Sequence, residues 1–223
     1  MVNCVLSVDT ASSLLGVCLK KENSWFEMTI QDGLKHSENL MDTILLILKE
    51  GNVKKEELEL LVCSEGPGSF TGLRIGMSTI KGMAFGLKIP HTTILTTDYL
   101  AYGYDYFPGA VVPILDARKK RYYCGIYSEG QSISGALDLS EDQLLAKLEK
   151  FENVLFTGPD CSMIKTDSRP GLFFDGNGSQ GRSRQLLELG IKRFQKEGAL
   201  DESSGPLYLR KSEAEIALYG DHI

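Results

Sequence analysis

The chain has 223 residues, a formal net charge of −6 and 42% hydrophobic residues, enough to bury a real core as one large domain or two small ones. No apolar run approaches the ~20 residues of a membrane span, and no basic segment followed by an apolar one opens the chain, so neither a spanning helix nor a secretory leader is expected. An acidic chain has no general electrostatic footprint for RNA, so work on nucleic acid would need a partner to supply most of the positive surface.

Residues 3–8 are apolar and β-prone, and Asp9-Thr10-Ala11-Ser12-Ser13 is a polar turn. Residues 14–19 and 25–30 read as two more strands, joined by a hairpin turn over 20–24. His36-Ser37-Glu38 opens a helix that runs to Glu50, with Gly51 as its C′ stop. In that helix Leu40, Ile44, Ile47 and Leu48 form one apolar stripe, and Met41 and Leu45 a second to its side. A one-sided surface helix does not need both. Either the helix is buried deeply in its own lobe, or it forms a helix–helix seam with Met41 as adaptable filler. The seam is the preferred reading.

Residues 58–63 read as a buried strand leading into Glu65-Gly66-Pro67-Gly68, a run of chain punctuators. Ser69 is a fair N-cap for a helix over 69–87. Gly72, Gly76, Gly82 and Gly86 lie inside it, each costing roughly 1 kcal/mol against alanine. Glycines four apart share a face and let another backbone come near. The unit offers two readings: phosphate capture at a helix N-terminus, or a tight turn with a close helix contact. The G-x-x-x-x-G-K-[ST] phosphate loop is not met, which favours the second.

Residues 89–95 form a further strand, 97–102 a short helix and 103–109 a linker. The pattern then restarts. Strands over 111–115, 122–127 and 132–139 follow, with Asp116 closing the first and Ala117-Arg118-Lys119-Lys120 as a polar turn. Lys119, Lys120 and Arg121 make a compact basic run, a type that is usually a solvated loop. Ser140 and Gln143 make a capping box for the next helix, and 153–156 is a strand closed by Gly158-Pro159-Asp160. A βββαβ order repeated twice predicts a duplicated α/β architecture with mixed sheets. The lobe boundaries are set at 1–107 and 108–223. After Asp160 the halves diverge: 161–181 reads as irregular loop, 182–195 as helix, 205–210 as an extended end, and the tail from Lys211 as partner-dependent.

Chemistry is sparse. His36, His91 and His222 have no metal-ligand spacing, so no metal site is expected. Ser69 lacks the G-x-S-x-G elbow of a hydrolase, and no catalytic residue is assigned. Cys4, Cys18, Cys63, Cys124 and Cys161 are far apart without C-x-x-C, which suits reduced core residues in a cytoplasmic protein.

The run Glu65-Gly-Pro-Gly-Ser-Phe-Thr-Gly-Leu-Arg-Ile-Gly76 closely resembles the signature of the TsaB (YeaZ) family, and Val8-Asp9-Thr10, His36-Ser37-Glu38, Asp116-Ala117-Arg118 and Pro206-Leu-Tyr-Leu-Arg210 match it in order. The resemblance implies a two-lobed actin-like (ASKHA, ribonuclease H-like) fold. It implies a non-catalytic scaffold in the synthesis of N6-threonylcarbamoyladenosine at tRNA position 37. The catalytic paralogue would be TsaD, a TsaE-type ATPase would join, tRNA would be met indirectly, and the chain alone would form a homodimer. With that support the partner seam is placed on His36, Leu40, Met41, Ile44, Leu45, Leu48, Phe70, Gly72, Leu73, Gly76, Met77 and Ile80.

Asp9 and Asp116 stand where actin-like ATPases hold phosphate and Mg²⁺. Those enzymes follow the aspartate with glycine so that amides can approach the phosphates; here Thr10 and Ala117 follow. Capping of a strand-to-turn bend is the preferred role. Asp9, Ser12, Ser13 and Arg118 remain nucleotide candidates. No tightly held cofactor is expected, and ATP with Mg²⁺ is placed at a partner interface. The rivals are a stand-alone actin-like ATPase or small-molecule kinase, and an M22-type peptidase, for which the sequence offers no ligand set.

Overall fold

The structure is a computed structural model that describes residues 2–33, 35–165, 169–201 and 203–210. In chain order come β1 (Cys4–Asp9), β2 (Leu15–Lys21), β3 (Ser24–Ile30), α1 (His36–Glu50), β4 (Leu60–Gly66), α2 (Phe70–Leu87), β5 (His91–Leu95) and α3 (Thr96–Ala101). Then follow β6 (Ala110–Asp116), β7 (Arg121–Ser128), β8 (Gln131–Ser140), α4 (Glu141–Leu148), β9 (Val154–Thr157), β10 (Leu172–Phe174) and α5 (Ser183–Glu197). The strands form two five-stranded sheets, ordered β3-β2-β1-β4-β5 and β10-β9-β6-β7-β8. In each, three strands run as antiparallel hairpins and the last two add in parallel. The architecture is the duplicated, two-lobed α/β arrangement of actin-like proteins.

The duplication goes one strand further than the sequence pattern indicates. β10 lies within the stretch expected to be irregular, and it is the counterpart of β5. Three residues at a sheet edge are too short to show a period-2 pattern. A 3₁₀ turn, Cys161–Met163, stands where the first half has α2.

Both sheets are covered on both faces, so their central strands are apolar at successive positions. In the first sheet Leu6, Val8, Val17, Leu61 and Cys63 pack under α1 and α2. Val5, Cys18, Leu60 and Val62 face the other way and meet Leu186 and Leu187 of α5. In the second sheet Val112, Ile114, Cys124 and Phe156 cluster with Leu144 and Leu148 of α4. The capping box of α4 is present, with Ser140 Oγ accepting from Gln143 N and Gln143 Oε1 accepting from Ser140 N.

The last helix of each half reaches the sheet of the other. α5 packs on β1, β2, β4 and β5 of the first sheet, and α3 lies between the sheets, against β6 and β7 of the second and β4 and β5 of the first. A cut at 107/108 therefore separates α5 from the lobe that buries it. A boundary drawn along the chain cannot express that exchange.

All five cysteines are free and buried. Burial pushes the Cys63 and Cys124 thiols up to about 12. Among the described residues no helix is long and apolar enough to cross a membrane. The tail from Lys211 lies outside the described residues.

Candidate functional site

The β4–α2 junction is a tight corner built against the chain's own β1–β2 turn. Ser69 N donates to Ala11 O at 2.7 Å, and Ser69 Oγ caps α2 by accepting from Gly72 N at 3.2 Å. A Cβ at Gly68 would overlap the Ala11 carbonyl. A Cβ at Gly72 would overlap the Thr10 carbonyl, and one at Gly76 the Thr10 hydroxyl. The close approach expected of the glycine face is thus made by Thr10 of the same chain. Gly82 and Gly86 have open space where a Cβ would stand.

This geometry corrects much of the expected seam. Leu40, Ile44, Leu48, Met77 and Ile80 belong to the core of the first lobe, and Leu73 is likewise buried. Gly72 and Gly76 are closed by Thr10. His36 is buried, with Nε2 2.8 Å from the Ser12 carbonyl, so it braces the β1–β2 turn from the start of α1. Phe70 is half-buried and engaged with Tyr208. Of the twelve expected residues, Met41 and Leu45 are the exposed large apolar ones.

Around them lies a surface that sequence reasoning located only in part. Leu45 is 60% exposed, Leu46 is exposed, and on α2 Phe85 is 82% exposed beside exposed Gly82 and Gly86. α1 and α2 pack side by side. The two helices therefore present Met41, Leu45, Leu46 and Phe85 outward. The available signal was Phe85 standing three residues after Gly82, on the same helical face.

The second feature is a cleft of about 390 Å³ between the lobes, lined by Ser12, Ser13, Ser69, Arg118, Lys119 and Tyr208 among others. Three of the four nucleotide candidates, Ser12, Ser13 and Arg118, line it. Asp9 does not. It is buried, its Oδ1 accepts from Ala11 N at 3.0 Å, and Tyr99 hydrogen-bonds to it. Burial pushes its carboxyl above the usual range. Asp116 fills the bend-capping role: Oδ1 accepts from Arg118 N at 2.7 Å. Asp160 Oδ2 in turn accepts from Asp116 N at 2.8 Å, and burial raises its carboxyl as well.

Arg118, Lys119 and Lys120 all take left-handed φ values, 63°, 54° and 58°. The left-handed conformation costs an L-residue roughly 1–2 kcal/mol. Among the described residues no group of three or more His, Cys, Asp or Glu is arranged to hold a metal ion.

A strap roofs this cleft. Leu207 N donates to Glu65 O at 2.7 Å, and a Cβ at Gly66 would come within 2.5 Å of Leu207 O. Tyr208 stacks on Phe70 with ring centroids 4.5 Å apart. Arg74 lies over Phe70 at 3.9 Å and donates from Nε to the Tyr208 hydroxyl at 2.9 Å. Arg210 reaches the other lobe, donating to Ala117 O at 3.0 Å and pairing with Asp138 at 3.4 Å. On the opposite side, Glu65 is held by Arg193 of α5 at 3.1 Å and by the Thr93 hydroxyl at 3.0 Å. The signature stretch is thus where both lobes, α5 and the strap converge.

Comparison with known proteins agrees with this architecture. The family described as "TsaD: tRNA N6-adenosine threonylcarbamoyltransferase" matches residues 33–170. The tRNA threonylcarbamoyladenosine biosynthesis protein TsaB of Bacillus subtilis is 31% identical over 220 residues, 95% of this chain and 96% of that protein. The Escherichia coli protein of the same name is 29% identical over 133 residues, 57% of this chain and 56% of that protein. The solved structure of YeaZ from Pseudomonas aeruginosa superposes with a TM-score of 0.77 at 21% identity, covering 93% of this chain and 100% of that one, which shows a shared fold. With a near full-length match above 30% identity, this chain belongs to the TsaB family.

Proposed function

We propose that this chain is a non-catalytic subunit in the synthesis of N6-threonylcarbamoyladenosine in tRNA, the process for which its relatives are named. Its work is to hold and activate a TsaD-type paralogue through the exposed α1–α2 face. The observation that carries this is Phe85, 82% exposed, together with Leu45, 60% exposed, on two adjacent helices whose inner faces are packed in the core of the first lobe. Contiguous exposed apolar surface marks an interaction site, and aromatic residues and Met are enriched at the centres of such sites. Without the partner, the same face pairs two copies of the chain.

In this reading a TsaE-type ATPase completes the assembly, and tRNA is met through the complex. ATP with Mg²⁺ belongs at the partner interface. The own cleft is a poor triphosphate site, because Asp9 is sealed under Tyr99 and no glycine follows Asp9 or Asp116. Five buried thiols suit the reducing cytoplasm.

The test is reconstitution of the tRNA modification from TsaD-type and TsaE-type proteins with and without this chain. Modified adenosine is expected only when the chain is present; full activity without it overturns the reading. ATP turnover by the isolated chain, abolished by Asp9→Asn, would instead support the stand-alone ATPase.

A further inference from the structure

The strap over the interlobe cleft is anchored on both lobes, and by different chemistry on each. On the first lobe its seat is shaped by the backbone. Gly66 has a φ of 112°, and the β4–β5 register shifts there. A side chain at that position would run into Leu207 O, so glycine leaves the room the strap takes. Leu207 N donates to Glu65 O at 2.7 Å, and Lys81 Nζ donates to Ser204 O. Tyr208 is held between the Phe70 ring and the Arg74 guanidinium.

On the second lobe the anchor is ionic. Arg210 Nη1 donates to Ala117 O at 3.0 Å, and its Nε lies 3.4 Å from Asp138 Oδ2. The other carboxylate oxygen, Oδ1, accepts from Arg121 Nε at 2.7 Å, and Arg121 Nη2 donates to Asp138 O at 2.7 Å. Asp138 is thus fixed from within its own lobe, with one oxygen turned to the strap. Charge-assisted bonds of this kind are about twice as strong as neutral ones.

The lobes have a second joint, at the floor of the cleft. Leu115 and Tyr123 line the cleft and belong to the apolar cluster that holds Tyr99 and Leu100 of α3 and Leu186 and Leu187 of α5. Asp98 Oδ1 accepts from the Tyr127 hydroxyl at 2.6 Å on the same side. A packed apolar joint allows small hinge and shear movements of the bodies it connects. A tie across the mouth, away from that joint, resists such rotation with the longer lever arm.

We propose that residues 207–210 are a clasp that fixes the angle between the two lobes, with Arg210 as its releasable end. The first-lobe end carries a backbone hydrogen bond and a ring stack. The second-lobe end depends on one side chain, 26% exposed and so in reach of water. Loss of that side chain lets the cleft open at its mouth while the strap stays seated on the first lobe. The clasp is a property of the two-lobed chain itself and stands whatever assembly the chain joins.

The test measures the distance between the lobes in the full chain. Spin labels are placed on Glu56→Cys in the first lobe and Ala146→Cys in the second, both exposed positions. The five native cysteines are buried and do not compete for the label. Labelled chain is diluted with unlabelled chain, so that double electron–electron resonance reads distances within one molecule. With the clasp intact, one narrow distance distribution is expected. Arg210→Ala should broaden it and add a longer component, and Tyr208→Ala, which frees the other end, should do the same. Circular dichroism should match that of the parent chain, which places the change between folded lobes. An Arg210→Ala distribution identical to that of the parent overturns the proposal, whatever Tyr208→Ala does. A broadening that comes only with lost secondary structure overturns it as well.

Discussion

At the scale of single residues, glycines on one helix divide into two physical classes. Gly72 and Gly76 are in van der Waals contact with Thr10, whereas Gly82 and Gly86 have nothing within 4 Å of a Cβ position. Gly72→Ala should therefore force β1–β2 away from α2 and destabilise by roughly 1–3 kcal/mol. Gly82→Ala should stabilise by about 0.5–1 kcal/mol, because a mid-helix glycine loses more backbone entropy than alanine. Urea midpoints at constant m-value check both. Asp9 supplies a second residue-scale prediction. Its carboxyl is raised above 3.8 by burial, so the folded state binds the proton more tightly than the unfolded chain. Stability from this group then falls as pH rises from 3.8 through the raised folded value, and the cost of the buried charge is fully present above it. Asp9→Asn removes the cost while keeping an acceptor for Ala11 N. The thermal midpoint of wild type minus that of the variant should become less favourable as pH rises from 4 to 7. A difference that moves the other way would show that the ionised carboxylate is stabilised in place.

At the scale of elements, the strap joins parts distant in sequence. Tyr208→Ala would remove the stack on Phe70 and the acceptor for Arg74, leaving the first turn of α2 less covered. A loss of about 1–2 kcal/mol is expected. Hydrogen exchange should rise at the amides of residues 70–73 and 207–208 while those of β1 and β4 stay protected. The sequence made such elements legible to unequal degrees. β1, β4 and β6 are continuous apolar runs bounded by turn residues, and the capping box at Ser140 is a local code, so these were readable. β10 was not, because three edge residues carry no period. The stripe of α1 that faces the sheet, Leu40–Ile44–Ile47–Leu48, was legible from its spacing, with Met41 and Leu45 set to its side, and the structure packs the first and exposes the second. The exchange of α3 and α5 between lobes depends on tertiary packing and has no local signature. The left-handed turn at 118–120 was hidden for another reason: its sequence offers no glycine or asparagine to announce it.

At the scale of the whole molecule, Met41, Leu45, Leu46 and Phe85 stay exposed on the α1–α2 face after both sheets are covered. Within the first lobe, α1 and α2 cover one side and α5 the other, so nothing in the described chain lies over Leu45 and Phe85. A partner that does so would gain from burying them, at about 25 cal/mol per Å² of apolar surface, offset by the cost of association. The sharpest probe places charge there without touching the core. Leu45→Glu and Phe85→Glu should each leave the unfolding free energy within about 0.5 kcal/mol of wild type, since both side chains are exposed. Each should weaken pairing with the TsaD-type protein by about 2 kcal/mol or more, roughly thirtyfold, if these residues form the centre of the interface. Gly76→Leu is not an equivalent probe, because it would collide with Thr10 and disturb the fold itself. The isolated chain offers the matching measurement. Sedimentation of wild type should show a concentration-dependent dimer, and Phe85→Glu a monomer over the same range. A wild-type chain that stays monomeric, or a variant that pairs with TsaD-type protein unchanged, would move the docking surface off α1 and α2.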